Sequence, residues 1–261
     1  MPQIPSNLDI SSPAETTTSS IMATLADTFN ATDKTTPGYY GPSETALLLL
    51  DFHSMVVQGP AGPEGPAALQ VAAEMRTWAK SQGIQVIHAL VDSNATPFPT
   101  CKDYDMFAGF LAAMKSSGGV EEPAELVEGG GDDVTFTRRM GHVSALKSPG
   151  LNNFLQKKGI KSLVLAGLST SGCVMRTSFA ACDEEYVVSV ISDGCADPVE
   201  GLHDILIGEV LNRRGFVTTA AKFQEGFVKA TGGKRGLSAP IPYLYYSNIL
   251  TSGTRREKSM T

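Results

Sequence analysis

Residues 161–198, KSLVLAGLSTSGCVMRTSFAACDEEYVVSVISDGCADP, constrain this chain more than any other stretch. Ser162 to Ala166 is a short apolar run rich in Leu and Val, the pattern of a strand buried on both faces. The turn Gly167-Leu168-Ser169-Thr170-Ser171-Gly172 follows, and a helical stretch begins near Cys173. A β-branched run from Tyr186 to Ile191 then ends in Ser192-Asp193-Gly194. Strand, turn, helix, strand predicts a right-handed crossover in a parallel sheet. Cys173 falls where strand gives way to helix, so unpaired N–H groups and the positive end of the helix dipole face its sulfur. That position is expected to lower the thiol pKa and favour the thiolate, and the same N–H groups can hold an oxyanion. The alternative is a small apolar residue closing a helix–sheet contact.

The rest of the chain repeats the alternation. Thr45 to Asp51, TALLLLD, predicts a central strand with Asp51 at its carboxyl end, where open α/β sheets bind ligands. A carboxylate after four leucines reads either as a base or as a cap for the following turn. Helical spacing over Pro66–Gln82 stops at Gly83, and Ile84–Val91 predicts the second strand, with His88 inside it as a core residue. A short helix over Met106–Met114 and a third strand over Val134–Thr137 follow. After them come a helix over Pro149–Lys158, an amphipathic helix over Val199–Leu211 carrying His203 as a packing residue, a strand over Gly215–Thr219 and a helix over Phe223–Val228. The expected fold is one three-layer α/β/α domain over residues 41–230, with a mostly parallel, Rossmann-like sheet of about six strands. Residues 1–40 read as a flexible arm holding one brief helix, Ile21 to Phe29. Residues 231–261 read as a C-terminal extension whose aromatic strip, Pro240 to Tyr246, is placed against a neighbouring subunit.

Composition excludes several functions. A net charge of −6 and a pI near 5.3 provide no basic field, so no nucleic-acid partner is expected. Cysteines 101, 173, 182 and 195 form no CxxC pair, which argues against a disulfide framework or a zinc site and for a reducing, cytoplasmic setting. Four histidines without ligand spacing predict no metal and no cofactor. No apolar run reaches the roughly 18 residues of a membrane span, so no membrane partner is expected, and the Ser/Thr-rich N-terminus lacks a signal peptide's pattern.

Gly167 to Val174, with Thr177, Asp193 and the earlier Leu49-Leu50-Asp51-Phe52, resembles the isochorismatase-like cysteine hydrolases, the family that includes nicotinamidases. The likeness covers roughly residues 44–222. It implies strand order 3-2-1-4-5-6, a catalytic Asp51 and Cys173, and a cis peptide at Leu168–Ser169 that turns the Ser169 and Cys173 N–H groups into an oxyanion hole. It also places Ser169 and Thr170 on the substrate-binding turn, makes Asp193 structural and leaves Cys195 a spare thiol. His53 stands where many relatives carry Gln and lines the pocket or lies on the surface.

The chain departs from the family at Thr137-Arg138-Arg139-Met140-Gly141-His142, where a catalytic Lys is absent. Arg138 is the best match and Arg139 the next, and His142 offers a titrating group if its loop folds inward. The other reading of the arginine pair is surface salt bridges. Nicotinamidases carry a metal-binding Asp-x-His past the second strand; here the stretch is Val91-Asp92-Ser93-Asn94. Phe98, Tyr104, Phe107 and Phe110 are candidates for a pocket wall or for local core. The implied activity is hydrolysis of a small-molecule amide-type bond through a Cys173 thioester. The alternatives are isochorismatase-type enol-ether cleavage, and a non-hydrolytic member used for binding or for a biosynthetic step. A neutral or aromatic substrate and a homo-oligomer, dimer or tetramer, are expected.

Overall fold

The computed structural model describes residues 28–232. Six strands form one all-parallel sheet in the order β3-β2-β1-β4-β5-β6: β1 Thr45–Leu50, β2 Gln85–Asp92, β3 Val134–Arg139, β4 Ser162–Leu168, β5 Val187–Ala196 and β6 Phe216–Thr218. Every residue of β1 and of β4 is buried, which is why both read as unbroken apolar runs. Side chains alternate across β1: Leu47 and Leu49 join one core, Ala46, Leu48 and Leu50 the other.

Among the described residues eight α-helices cover the two faces, α1 Ser54–Gln58, α2 Gly65–Gln82, α3 Tyr104–Ser117, α4 Ala124–Val127, α5 Leu151–Lys157, α6 Met175–Asp183, α7 Leu202–Ile205 and α8 Ala220–Thr231. α2 and α8 pack on the Leu47 side, α5 and α6 on the other, giving three layers. Gly83 ends α2 in the left-handed conformation, φ 76°.

Several boundaries differ from those expected. β3 runs on through Arg138 and Arg139, which pair with Val91 and Asp92. β5 continues past Ser192-Asp193-Gly194 to Ala196, because its pairing with β4 shifts register between Leu165 and Gly167. Part of the expected arm belongs to the domain: Phe29 is buried and meets Phe223 edge-on at 5.4 Å. The rest of that arm, most of the Ile21–Phe29 segment and nearly all of the C-terminal extension, aromatic strip included, lie outside the described residues. Among the described residues no helix is long and apolar enough to cross a membrane.

Candidate active site

The order β2-β1-β4 puts the reversal of strand order between β1 and β4, and the crevice at their carboxyl ends is where such sheets bind ligands. Asp51 leaves β1 there and Cys173 follows β4. Close approach of the two strands needs Gly167: a Cβ on it would lie 2.5 Å from Leu50 Cβ and 2.9 Å from Leu50 O.

Asp51 has φ 57°, a left-handed backbone that Asp tolerates better than most residues, and its N–H donates to Ala89 O at 3.1 Å. Arg138 reaches it from β3 and donates twice, Nη1 to Oδ1 at 3.0 Å and Nη2 to Oδ2 at 2.5 Å. The arginine is 2% exposed, and its Nε donates to His142 O at 2.9 Å. The planar fork thus matches both carboxylate oxygens, a geometry an ammonium lacks. Burial works against the Arg138 charge, but the charge and hydrogen bonds of Asp51 outweigh it and hold the guanidinium pKa above its ordinary value.

Cys173 lies on an irregular turn, Thr170–Val174, and regular helix begins only at Met175. The Leu168–Ser169 peptide is cis. The thiol donates to Leu168 O at 3.2 Å and the residue is 3% exposed. The expected thiol acidification is overturned here. Burial pushes the thiol pKa well above its ordinary range, the Asp51 charge adds to that, and Arg138 only partly opposes it.

These three residues open into one cavity of about 660 Å³. Ser169, His53 and His142 line it, as do Phe98, Phe107 and Phe110; Tyr104 does not. His53 is 2% exposed and both ring nitrogens are engaged, Nδ1 with Val120 O at 2.6 Å and Nε2 with the Val91 N–H at 3.3 Å. It ties β2 and the loop after α3 to the cavity and keeps no atom for proton transfer. His142 stacks its ring on Phe98, centroids 5.2 Å apart. Gly141, φ 97°, makes that wall possible: a Cβ there would lie 2.6 Å from Phe98 Cε1 and 2.8 Å from Cys101 Sγ.

Two expected site residues fall elsewhere. Arg139 turns from the cavity and binds the loop after β2, Nε to Thr96 O at 2.5 Å and Nη2 to Pro97 O at 3.0 Å. Neighbouring residues of a strand face opposite sides, so only one of the pair can meet Asp51. Thr170 is fully buried, and its Oγ1 lies 2.8 Å from His203 Nδ1, so it holds the turn rather than a substrate.

Asp197, unmarked in the sequence, holds the same turn by accepting the Ser171 N–H at 2.7 Å. The only sign of it in the chain is an Asp-Pro after a strand. Asp193 accepts the Ala220 N–H at 2.9 Å at the start of α8, the structural part expected. Burial pushes the Cys195 thiol up to about 12, which leaves it no second nucleophile. His88 is buried as expected but is no apolar packing residue: its Nδ1 lies 2.9 Å from Glu122 and its Nε2 3.5 Å from Asp133. A larger cavity, about 710 Å³, lies between the start of α2 and α7 and contains neither Asp51 nor Cys173. The chemistry therefore belongs to the smaller one.

The arrangement joins a buried thiol, a carboxylate and a cation that fixes the carboxylate. Comparison with known proteins identifies the domain. The family profile described as the isochorismatase domain matches residues 45–222. A protein of Arabidopsis thaliana named as a probable inactive nicotinamidase is 27% identical over 179 residues, 64% of this chain and 88% of its own. The maleamate amidohydrolase of Pseudomonas putida is 24% identical over 181 residues, 67% of this chain and 82% of its own. The crystal structure of a cysteine hydrolase from Pseudomonas syringae pv. phaseolicola superposes with a TM-score of 0.62 at 18% identity, over 73% of this chain and 95% of that one.

Proposed function

The chain belongs to the isochorismatase family of hydrolases, and from that premise we propose that it cleaves an amide-type carbon–nitrogen bond of a small molecule through a thioester on Cys173. The observation that carries this reading is the Asp51 carboxylate, clamped by Arg138 and coupled electrostatically to the Cys173 thiol in a single cavity. The similarity to a maleamate amidohydrolase supports the bond type.

Because the resting thiol holds its proton, that proton moves as the bond forms. Asp51 takes it from Sγ while the sulfur attacks the carbonyl carbon, and the carbonyl pair moves to an oxygen held by the Ser169 and Cys173 N–H groups. Collapse breaks the carbon–nitrogen bond, and Asp51 returns the proton to the leaving nitrogen. Water then adds to the thioester and passes a proton to Asp51; the departing sulfur recovers it, and the acid is released. Arg138 moves no proton. It orients Asp51 and balances its charge through both half-reactions.

The test is mass spectrometry of protein quenched during turnover of a panel of small amides, with ammonia release measured in parallel. An acyl adduct on Cys173, absent from Cys173→Ala along with the ammonia, is the expected result. Undiminished turnover by Cys173→Ala would sink the thiol route. A second reading, a member that binds without hydrolysing, is favoured by the raised thiol pKa and by likeness to a relative named inactive. It predicts saturable amide binding with neither adduct nor ammonia.

A further inference from the structure

The amide-hydrolase reading accounts for the floor of the cavity and leaves its charged lining unexplained. Asp51 and Arg138 neutralise one another, so the fixed charges left in the lining are Lys102, Asp103 and Arg176, two cations against one carboxylate. Lys102 and Arg176 are both exposed, and among the described residues neither head group takes part in an ion pair or hydrogen bond. Arg138, nearer the floor, differs: it directs its N–H groups at internal acceptors.

Arg176 is also tied to the nucleophile by register. It stands three residues beyond Cys173, and the backbone between them, Val174 and Met175, is helical. Residues i and i+3 share a helix face, about 4.5 Å apart along the axis, and both these residues line the cavity. The sulfur and the guanidinium therefore leave the same face of one helical turn into one cavity. Phe98, Phe107 and Phe110 wall the space alongside.

We propose that Arg176 is a specificity residue that binds a carboxylate carried by the substrate, with Lys102 adding to the positive field at the mouth. The substrate class is then an amide with an aromatic body and an anionic far end, in place of the neutral compound that the aromatic residues alone imply. This inference rests on the amide-hydrolase reading for the reacting end and on Arg176 for the other.

Two measurements separate those supports. Benzoate binding is followed by calorimetry in the parent protein, Arg176→Gln and Arg176→Lys. Hydrolysis of 4-carbamoylbenzoate is compared with that of its methyl ester. Benzoate should bind the parent about tenfold more tightly than Arg176→Gln, with Arg176→Lys between them, the scale expected when a charged hydrogen bond is removed. The parent should favour the acid over the ester by at least about tenfold in kcat/KM, mainly through KM, and Arg176→Gln should lose that preference. No benzoate binding, or equal binding by parent and Arg176→Gln, overturns the anion site. If benzoate separates the proteins while neither amide is hydrolysed, the anion site stands and the hydrolytic reading falls.

Discussion

Asp51 and Arg138 act on the Cys173 thiol with opposite signs, and burial exceeds both. Removing the carboxylate's charge should lower the thiol pKa, so Asp51→Asn is expected to speed iodoacetamide alkylation of Cys173 at mildly alkaline pH while abolishing amide turnover. Arg138→Gln should slow alkylation, since it removes the guanidinium that partly offsets the Asp51 charge and favours the thiolate. Peptide mass spectrometry across a pH series reads both. Slower alkylation of Asp51→Asn would mean that the carboxylate draws the proton away even without substrate, and the electrostatic account would be wrong. Either change splits a buried ion pair, at a cost of about 3–5 kcal/mol, so the folded fraction is followed by circular dichroism. Cys195, pushed up to about 12, is an internal control that stays unreactive in the same series.

Among the elements, the turn after β4 and the wall from β3 make separate demands. Asp197→Ala frees the Ser171 N–H and should lower kcat by about tenfold or more, because a charged hydrogen bond positioning the nucleophile turn is lost. Gly141→Ala forces a side chain into a left-handed backbone and against Phe98. It should destabilise by about 1–2 kcal/mol in urea titration and raise KM. The sequence revealed the strands well because a parallel sheet covered on both faces needs unbroken apolar runs, and TALLLL and SLVLA are such runs. It under-read β5, where Ser192-Asp193-Gly194 has turn chemistry yet stays in the sheet through a register shift and an Asp193 cap on α8. It left Arg138 and Arg139 undecided because the phase of a strand depends on its neighbour, here β2. It singled out neither Asp197 nor the bond from His203 to the turn, since a lone polar residue 26 or 33 positions from its partner leaves no periodic trace. It misjudged the thiol because local sequence registers a helix start but not burial.

Across the whole molecule, stability joins parts distant in the chain. Burial alone would raise the Asp133 pKa, but hydrogen bonds from Lys80 and Arg76 outweigh it and hold the carboxyl below its usual range. A depressed carboxyl stabilises the fold above its unfolded value, about 3.9, and that contribution disappears as pH falls through the lower folded value. Asp133→Asn should therefore lower stability by about 3–5 kcal/mol at neutral pH, by leaving buried Arg76 unpaired, and should flatten the acid limb of a stability–pH curve. Phe29→Ala should cost about 3–5 kcal/mol in thermal melting if residues 28–40 unfold with the domain, and a loss under about 1 kcal/mol would detach them from it. The pairing of Leu50 with Gly167 sets an order for biogenesis. A nascent chain that has exposed β1 and β2 but not yet β4 carries the most apolar strand of the sheet with one hydrogen-bonding edge open, a template for misassociation. Translation must proceed more than a hundred residues past β1 before that edge closes, and the same closure brings the Cys173 turn to Asp51, so no fragment ending before β4 can be a partial enzyme.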